Sequence, residues 1–229
     1  METHAPEMTS EIVQRADQIM VATGLLRNPY LEQLKNGELS RPAFCKSQQQ
    51  FYFAVHFFSR PMAALLMRLP HPHQRLGILA NVVEEHGNFQ GASFHEATFR
   101  DFLAAMGAPL SPAETTPSPV VHAFNAAIMS ACQFDQVQVG IACLGIIEYA
   151  FADISAIIGN ALVDRRWIDP EDLVHYSLHA EIDKQHAADF FVLLNEDWKS
   201  PAKRGFVEQG LQLGAYVFNR LYRDLLDCR

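Results

Sequence analysis

The stretch His179-Ala-Glu-Ile-Asp183-Lys-Gln-His186 lies within a predicted helix that runs from Pro170 to about Leu194. At 100° per residue, the side chains of His179, Asp183 and His186 share an arc of about 60° on one helix face. Neighbouring apolar residues turn this face toward a core, where a carboxylate and two imidazoles are costly to bury without partners. The stretch predicts either a site for iron, manganese or zinc, or a solvated polar helix face, and these residues alone leave both interpretations open.

The composition is that of a globular protein. The chain has 229 residues, of which 49% are hydrophobic and 19% charged, enough for one substantial core. We therefore expect a single domain over residues 1–229. A formal net charge of −8, with no block of Lys or Arg, argues against nucleic acid or an anionic membrane as the main partner.

The sequence also predicts the compartment. No apolar run of about 18 residues is free of charge, and the first ten residues lack an apolar segment, so we expect neither a membrane-spanning helix nor a signal peptide. The expected location is the cytoplasm. The four cysteines are scattered without a Cys-x-x-Cys pair, as is usual for reduced thiols.

Periodicity and capping signals predict an all-α chain of about eight helices. Ser10 and Ser40 are predicted N-caps, and Asp169-Pro170 and Ser200-Pro201 combine an N-cap with proline at the first helical position. Pro61 is expected to kink or break the long helix that follows Ser40. We find no alternating strand pattern and no internal repeat.

One segment of that long helix, Phe51 to Phe58, is apolar nearly all round, which predicts burial on more than one side. Core packing is the favoured interpretation of its aromatic residues, and lining of a ligand cavity is the alternative.

Glu148 is the first acid after the apolar run Val139 to Ile147. A carboxylate in so apolar a helix needs a partner, either an Arg or Tyr side chain or a bound ion. Glu85 ends another apolar helix, and His95 begins the helix after the following loop. Glu84 points elsewhere on its helix, so only one of the two adjacent glutamates can face a given site.

Together these positions supply three carboxylates and three imidazoles on four helices. This inventory suits two metal ions with about three protein ligands each, and it favours iron or manganese over metals that prefer thiolate. The paired Glu-x-x-His motifs of ferritin-like proteins are absent from the sequence. The six residues are Glu85, His95, Glu148, His179, Asp183 and His186.

From about Asn28 to Glu196 the chain resembles the haem-oxygenase-like diiron oxidases, which are related in fold to thiaminase and pyrroloquinoline-quinone synthase proteins. The matching parts, in order, are Asn81-Val-Val-Glu84-Glu85-His86-Gly87, His95 before Phe99 and Leu103-Ala-Ala-Met-Gly107, Glu148, and His-x3-Asp-x2-His. The resemblance implies that the same six residues are metal ligands. It also implies a bundle of seven or eight helices, commonly a homodimer.

The chain departs from the family pattern in places. The loop from Glu85 to His95 is longer than in some members, and Glu85 is preferred over Glu84 because it lies four residues after Asn81. The self-sacrificing para-aminobenzoate synthases of this family use a tyrosine in the first part of the chain and a lysine about ten residues past the third ligand. In this sequence Ile158 occupies the position of that lysine, and Tyr30 is the nearest candidate for that tyrosine.

Two tyrosines near the ligands in sequence, Tyr149 and Tyr176, could hydrogen-bond a ligand or be oxidised. The alternative, a packing tyrosine with a satisfied hydroxyl group, is the favoured interpretation.

The leading functional hypothesis is a metal-dependent oxidoreductase with two iron ions (Fe2+/Fe3+, with manganese possible) and O2 as co-substrate. It would act on a small molecule by N-oxygenation, desaturation or oxidative C–C cleavage. The alternatives are a cofactorless oxidase resembling pyrroloquinoline-quinone synthase, a protein resembling para-aminobenzoate synthase, and a non-catalytic interaction scaffold.

Overall fold

The structure is a computed structural model that describes residues 11–111 and 116–228. Ten α-helices occur in these two ranges, and no strand does. The helices are α1 Glu11–Thr23, α2 Pro29–Asn36, α3 Arg41–Arg68, α4 Pro72–Glu85, α5 His95–Ala105, α6 Pro119–Gln133, α7 Val137–Asp164, α8 Val174–Val192, α9 Asn195–Lys199 and α10 Pro201–Leu225. The all-α prediction is confirmed, and short helices such as α9 raise the number above eight.

Most helix ends follow the local signals. α1 stops before Gly24, whose φ is 66°, and α2 stops before Gly37, whose φ is 89°; both values favour glycine. The side chain of Ser40 accepts a hydrogen bond from the backbone N–H of Ala43 and so caps α3 as predicted. Ser10, the N-cap predicted for α1, lies outside the described residues.

Pro61 does not break α3, so that part of the prediction is wrong. The helix continues from Arg41 to Arg68 with Pro61 buried inside it. Proline removes one backbone hydrogen bond, but packing of α3 against α4, α5 and α6 holds both halves in one helix.

The predicted start of α8 at Pro170 is also wrong. Pro170–Asp172 forms a separate 3-10 turn, and α8 begins at Val174. Between them the side chain of Leu173 is buried. A Cβ added to Gly159 would lie 2.9 Å from Cδ2 of Leu173, so the turn at Leu173 is fixed by this close contact with α7.

α7 lies at the centre of the bundle, packed mainly against α8 and α10. A Cβ on Gly210 or Gly214 of α10 would lie 2.4 to 2.5 Å from backbone oxygens of α7, so these glycines allow the two helices to touch. Among the described helices, α7 alone has the length and apolar composition of a membrane span, and most of it is buried inside the protein.

The core also contains the aromatic segment of α3 and most of the thiols. Phe51 and Tyr52 are buried, as core packing predicts. All four cysteines are free, and three of them are buried, which agrees with the predicted reduced state.

Candidate metal centre

The six predicted ligands are all buried, with side chains that converge from α4, α5, α7 and α8. Their exposed fractions are 9% for Glu85, 3% for His95, 3% for Glu148, 4% for His179, 0% for Asp183 and 2% for His186. Gly145 brings α7 and α8 together, because a Cβ at this position would lie 2.8 Å from the ring of Phe191. This close approach places Glu148 beside the ligand face of α8.

Glu85 and His95 form the first pair. Oε1 of Glu85 lies 2.9 Å from Nδ1 of His95. The loop that joins them turns sharply at Gly87, whose φ is 55° and whose added Cβ would lie 2.4 Å from the backbone of Ser93. Burial opposes both charges, but the Coulombic attraction between the two side chains lowers the pKa of Glu85 and raises that of His95. They form a buried ion pair.

The second group lies around Asp183. Its Oδ1 atom is 2.8 Å from Nδ1 of His179 and 3.6 Å from Nδ1 of His186. Oε2 of Glu148 lies 3.8 Å from the same nitrogen of His186. The rings of His95 and His179 have centroids 4.5 Å apart. The structure therefore brings all six side chains into one cluster, which we call the polar centre.

Four side-chain oxygen and nitrogen atoms of the polar centre have no hydrogen-bond partner. These buried atoms are Oε1 of Glu148, Nε2 of His179, Oδ2 of Asp183 and Nδ1 of His186. Buried polar atoms are normally paired, and an unpaired one costs about 1–3 kcal/mol. Ligand atoms of Glu148, Asp183 and His186 lie within 4.8 Å of one another. These oxygen and nitrogen donors fit iron, manganese or zinc.

The pKa values describe how the polar centre behaves without a cation. Burial and the nearby Asp183 carboxylate raise the pKa of Glu148 to about 7. Burial opposes a charge on His186, but the nearby carboxylate of Glu148, together with Glu84 and Asp183, raises its pKa to about 10. Burial and His95 lower the pKa of His179 to about 3, so its ring is neutral. Near neutral pH Glu148 is therefore only partly ionised, and the polar centre carries less than its full negative charge when no cation is bound.

Glu84 and Glu85 face different sides of the polar centre. Oε2 of Glu84 lies 2.7 Å from Nε2 of His186, and the Glu84 side chain is 42% exposed. Glu85 instead faces a cavity that Glu148 and His179 also line. Glu85 thus lies beside the other predicted ligands, and Glu84 has a separate contact with His186 that the sequence did not predict.

This inner cavity has a volume of about 40 Å³. Apolar side chains form most of its wall, among them Phe51 and Phe58 of α3 and Phe151 of α7. Phe51 thus both packs in the core and lines a cavity, so the two interpretations of the aromatic segment hold together. The polar centre is exposed to this cavity through Glu85, Glu148 and His179.

The two tyrosines near the ligands make other contacts. The Tyr176 hydroxyl group donates a hydrogen bond to Oε1 of Gln48. Tyr149 packs against Phe191 and Lys184, whose ammonium group lies 3.9 Å from the centroid of the tyrosine ring. Both arrangements agree with the packing interpretation.

His175 lies next to the polar centre, one turn before His179. It is fully buried, and its ring centroid is 4.4 Å from that of His179. Nδ1 of His175 lies 3.1 Å from the Thr98 hydroxyl oxygen, and the Thr98 hydroxyl donates to the carbonyl oxygen of His95. His175 therefore donates through Nδ1, and its Nε2 atom is buried without a partner.

Comparison with known proteins adds a family and a fold. Residues 46–216 match the family described as iron-containing redox enzymes. The 4-aminobenzoate synthase of Chlamydia muridarum (strain MoPn / Nigg) is 22% identical over 183 residues, which cover 79% of this chain and 76% of that protein. The 4-aminobenzoate synthase of Chlamydia trachomatis serovar D is 22% identical over 200 residues, which cover 86% of this chain and 85% of that protein.

Two solved structures are similar over nearly the whole chain. A CADD-like protein of unknown function from Nostoc punctiforme PCC 73102 has a TM-score of 0.77 at 16% identity, covering 94% of this chain and 96% of that one. A domain of unknown function with a haem-oxygenase-like fold from Shewanella denitrificans OS217 has a TM-score of 0.79 at 14% identity, covering 96% and 93%. The predicted haem-oxygenase-like fold is confirmed.

Proposed function

Because the chain belongs to the family of iron-containing redox enzymes, we propose that it is an O2-dependent oxidase or oxygenase with two iron ions. The proposed ligands are the six side chains of the polar centre. The strongest support is a group of four buried oxygen and nitrogen atoms that have no hydrogen-bond partner. They belong to Glu148, His179, Asp183 and His186. A bound cation would supply the missing partner for each.

The contacts divide the six side chains into two sets of three. One set is Glu148, Asp183 and His186, whose ligand atoms lie close together. In the other set, Glu85 pairs with His95, and the ring of His95 packs against His179. The contact between His179 and Asp183 joins the two sets. Three donors per ion leave open positions for other ligands, and this division supports two ions rather than one.

The protein side chains would hold the ions, exclude water and fix the orientation of the ligands. Iron bound here would supply the one-electron and O2 chemistry that side chains cannot provide. The wall of the inner cavity beside Glu85, Glu148 and His179 is mostly apolar, which would limit water near the ions. With an ion bound, Glu84 would accept from Nε2 of His186 and leave the lone pair of Nδ1 for the metal, on the side where Asp183 and Glu148 lie.

Iron analysis of the reconstituted protein tests the proposal. We expect about two iron(II) per chain after anaerobic loading, and O2 consumption by the loaded protein when a reductant is supplied. Glu148→Ala should bind less iron while its metal-free form stays folded, because the substitution leaves an apolar helix. Glu181→Ala is the matched control, since Glu181 is exposed on α8. Saturation at one iron, or equal iron binding by both variants, would contradict the diiron site.

The second candidate function is 4-aminobenzoate synthesis, favoured by the names of the two Chlamydia relatives. The position where the resemblance implies a lysine is Ile158, which is fully buried in the core. The hydroxyl group of Tyr30 is engaged with Ser47 and Gln48. Release of 4-aminobenzoate from the iron-loaded protein in O2, with a matching loss of mass from the chain, would favour this function over oxidation of an external substrate.

A further inference from the structure

A buried amide joins α4 to α8 one helical turn before the two glutamates of α4. Asn81 is 2% exposed. In one orientation its amide nitrogen lies 3.5 Å from the carbonyl oxygen of His186. In the other, the nitrogen donates to Oδ2 of Asp189 at 3.2 Å and to the carbonyl oxygen of Gly77 at 3.3 Å. The second orientation makes two shorter bonds and is the favoured one, but in both the amide bonds to α8.

Asp189 is a fixed acceptor for this amide. Its other carboxylate oxygen, Oδ1, accepts a hydrogen bond from Nε2 of Gln185 at 3.1 Å. A Cβ added to Gly77 would lie 3.0 Å from Cβ of Asp189, so the Asp189 side chain occupies the space that a larger residue on α4 would fill. Both the hydrogen bonds and the close packing hold Asp189 against α4.

Little else fixes the rotation of α4 about its own axis. Of its 14 residues, only Ile78, Asn81 and Glu85 are buried. The packing of Ile78 is apolar and therefore not directional, and Glu85 is a proposed ligand. A hydrogen bond depends on direction as well as distance. Asn81 is thus the buried residue of α4, apart from Glu85 itself, that can define the rotation of the helix.

Asn81 lies between the two glutamates around the helix. At 100° per residue, its side chain points about 60° from that of Glu84 and about 40° from that of Glu85. Glu84 contacts Nε2 of His186 at 2.7 Å, and Glu85 lines the inner cavity. Rotation of α4 in either sense would break the bond of Asn81 and move one glutamate away from its contact.

We propose that Asn81 is a positioning residue that assigns the two glutamates of α4 to their roles. Its hydrogen bond to Asp189 fixes the rotation of α4, so that Glu85 faces the polar centre and Glu84 meets His186. Asn81 acts only through these glutamates. The inference rests on the proposed function for the identity of the ligands, but the contact between Glu84 and His186 can be measured in the metal-free protein.

Iron(II) affinity, measured under argon by competition with a chelator of known affinity, tests the proposal. Asn81→Leu keeps the branched shape but removes the amide, and it should weaken iron(II) binding about tenfold. Asp189→Ala should have the same effect, whereas Asp189→Asn should change the affinity less than about threefold, because its amide oxygen still accepts from Asn81. The combined Asn81→Leu and Asp189→Ala variant should bind no more weakly than either single variant, because both remove the same bond.

Ile78→Val is the matched control. It removes one methyl group from the same buried face of α4, and it should lower the stability of the metal-free protein while iron(II) affinity stays within about threefold of wild type. If affinity instead falls in step with stability in every variant, Asn81 has only a structural role and the proposal is overturned. Equal losses in Asp189→Ala and Asp189→Asn would also overturn it, since the charge rather than the hydrogen bond would then matter.

Crystal structures of the metal-free proteins separate this inference from the proposed function. In Asn81→Leu we expect α4 to rotate and the contact between Glu84 and His186 to be lost, and in Ile78→Val we expect it to remain. If wild type binds no iron but Asn81→Leu loses the contact, the diiron proposal fails and the positioning role stands. If wild type binds two irons and Asn81→Leu keeps both the contact and the affinity, only the positioning role is wrong. Should Asn81→Leu not fold, the contrast between Asp189→Ala and Asp189→Asn decides in the same way.

Discussion

α8 contributes to two groups of buried polar side chains that differ in hydrogen bonding. We call the first group the tyrosine network. In it, the Tyr176 hydroxyl group donates a hydrogen bond to the side chain of Gln48. The Gln48 amide donates to the Tyr30 hydroxyl group at 2.7 Å, which is hydrogen-bonded to the Ser47 hydroxyl group at 2.6 Å. Ser47 in turn donates to the carbonyl oxygen of Phe44. In the second group, the polar centre, four oxygen and nitrogen atoms have no hydrogen-bond partner.

The difference is that hydrogen bonding is complete in the tyrosine network and incomplete in the polar centre. A fully paired polar network stabilises the core and makes the packing specific. A half-paired one destabilises the fold unless something else binds. Both groups are equally buried, so burial alone would not distinguish them. The unpaired atoms of the polar centre therefore support the proposal that this group, and not the tyrosine network, binds a cation.

Asp183→Ala should have the largest effect. Asp183 contacts both His179 and His186, and we expect its loss to remove at least one of the two irons. The substitution removes the unpaired Oδ2 atom of Asp183 but leaves Nδ1 of His179 buried without its acceptor, so the metal-free variant should lose about 1–3 kcal/mol of stability. Iron analysis and urea unfolding of the metal-free forms measure the two effects. Full iron content in the variant would remove Asp183 from the ligand set.

Glu84→Ala should weaken iron binding without changing its stoichiometry. Residues that orient a histidine ligand typically contribute ten- to a hundredfold in metal affinity, and Glu84 holds His186 through Nε2. Competition with a chelator of known affinity measures the change. Glu84→Gln should recover part of it, because its amide oxygen can still accept from Nε2. Glu181→Ala serves as the control, and a loss in Glu84→Ala no greater than in this control would show that the contact does not orient His186.

Sequence reasoning predicted six residues that the structure brings together, but it did not predict the contact between Glu84 and His186. The arc of His179, Asp183 and His186 follows from helix periodicity alone, and Glu148 stands out because its helix is otherwise apolar. Adjacent residues on a helix point about 100° apart, so the sequence shows that Glu84 and Glu85 face different directions. Which histidine Glu84 meets depends on how α4 crosses α8, and no local pattern encodes that crossing.

The same limit applies to the helix ends. Gly24 and Gly37 follow the ends of α1 and α2, because the left-handed conformation they adopt is a local property of glycine. Leu173 interrupts the predicted start of α8, because its side chain packs against Gly159 on another helix.

Tyr176→Phe should destabilise the protein and leave iron binding intact. The substitution removes one hydroxyl group and leaves Oε1 of Gln48 buried without its donor, which costs about 1–2 kcal/mol. The loss should be the same with and without iron, because the tyrosine network does not depend on the metal. Urea unfolding of both forms measures it. A loss confined to the iron-loaded form would place Tyr176 in the polar centre instead.

His175→Asn should have the smallest effect, and it tests the boundary between the two groups. His175 has one paired nitrogen, as in the tyrosine network, and one unpaired nitrogen, as in the polar centre. The Asn side-chain amide can replace Nδ1 as the donor to Thr98 while Nε2 is deleted. The ligand face from His179 to His186 already spans about 10 Å along the helix axis. His175 lies about 6 Å beyond His179, outside this span, and so too far away to share the ions. We therefore expect the variant to bind two irons with affinity within about threefold of wild type. Loss of an iron from His175→Asn, with normal folding by circular dichroism, would make His175 a seventh ligand and extend the polar centre by one helical turn.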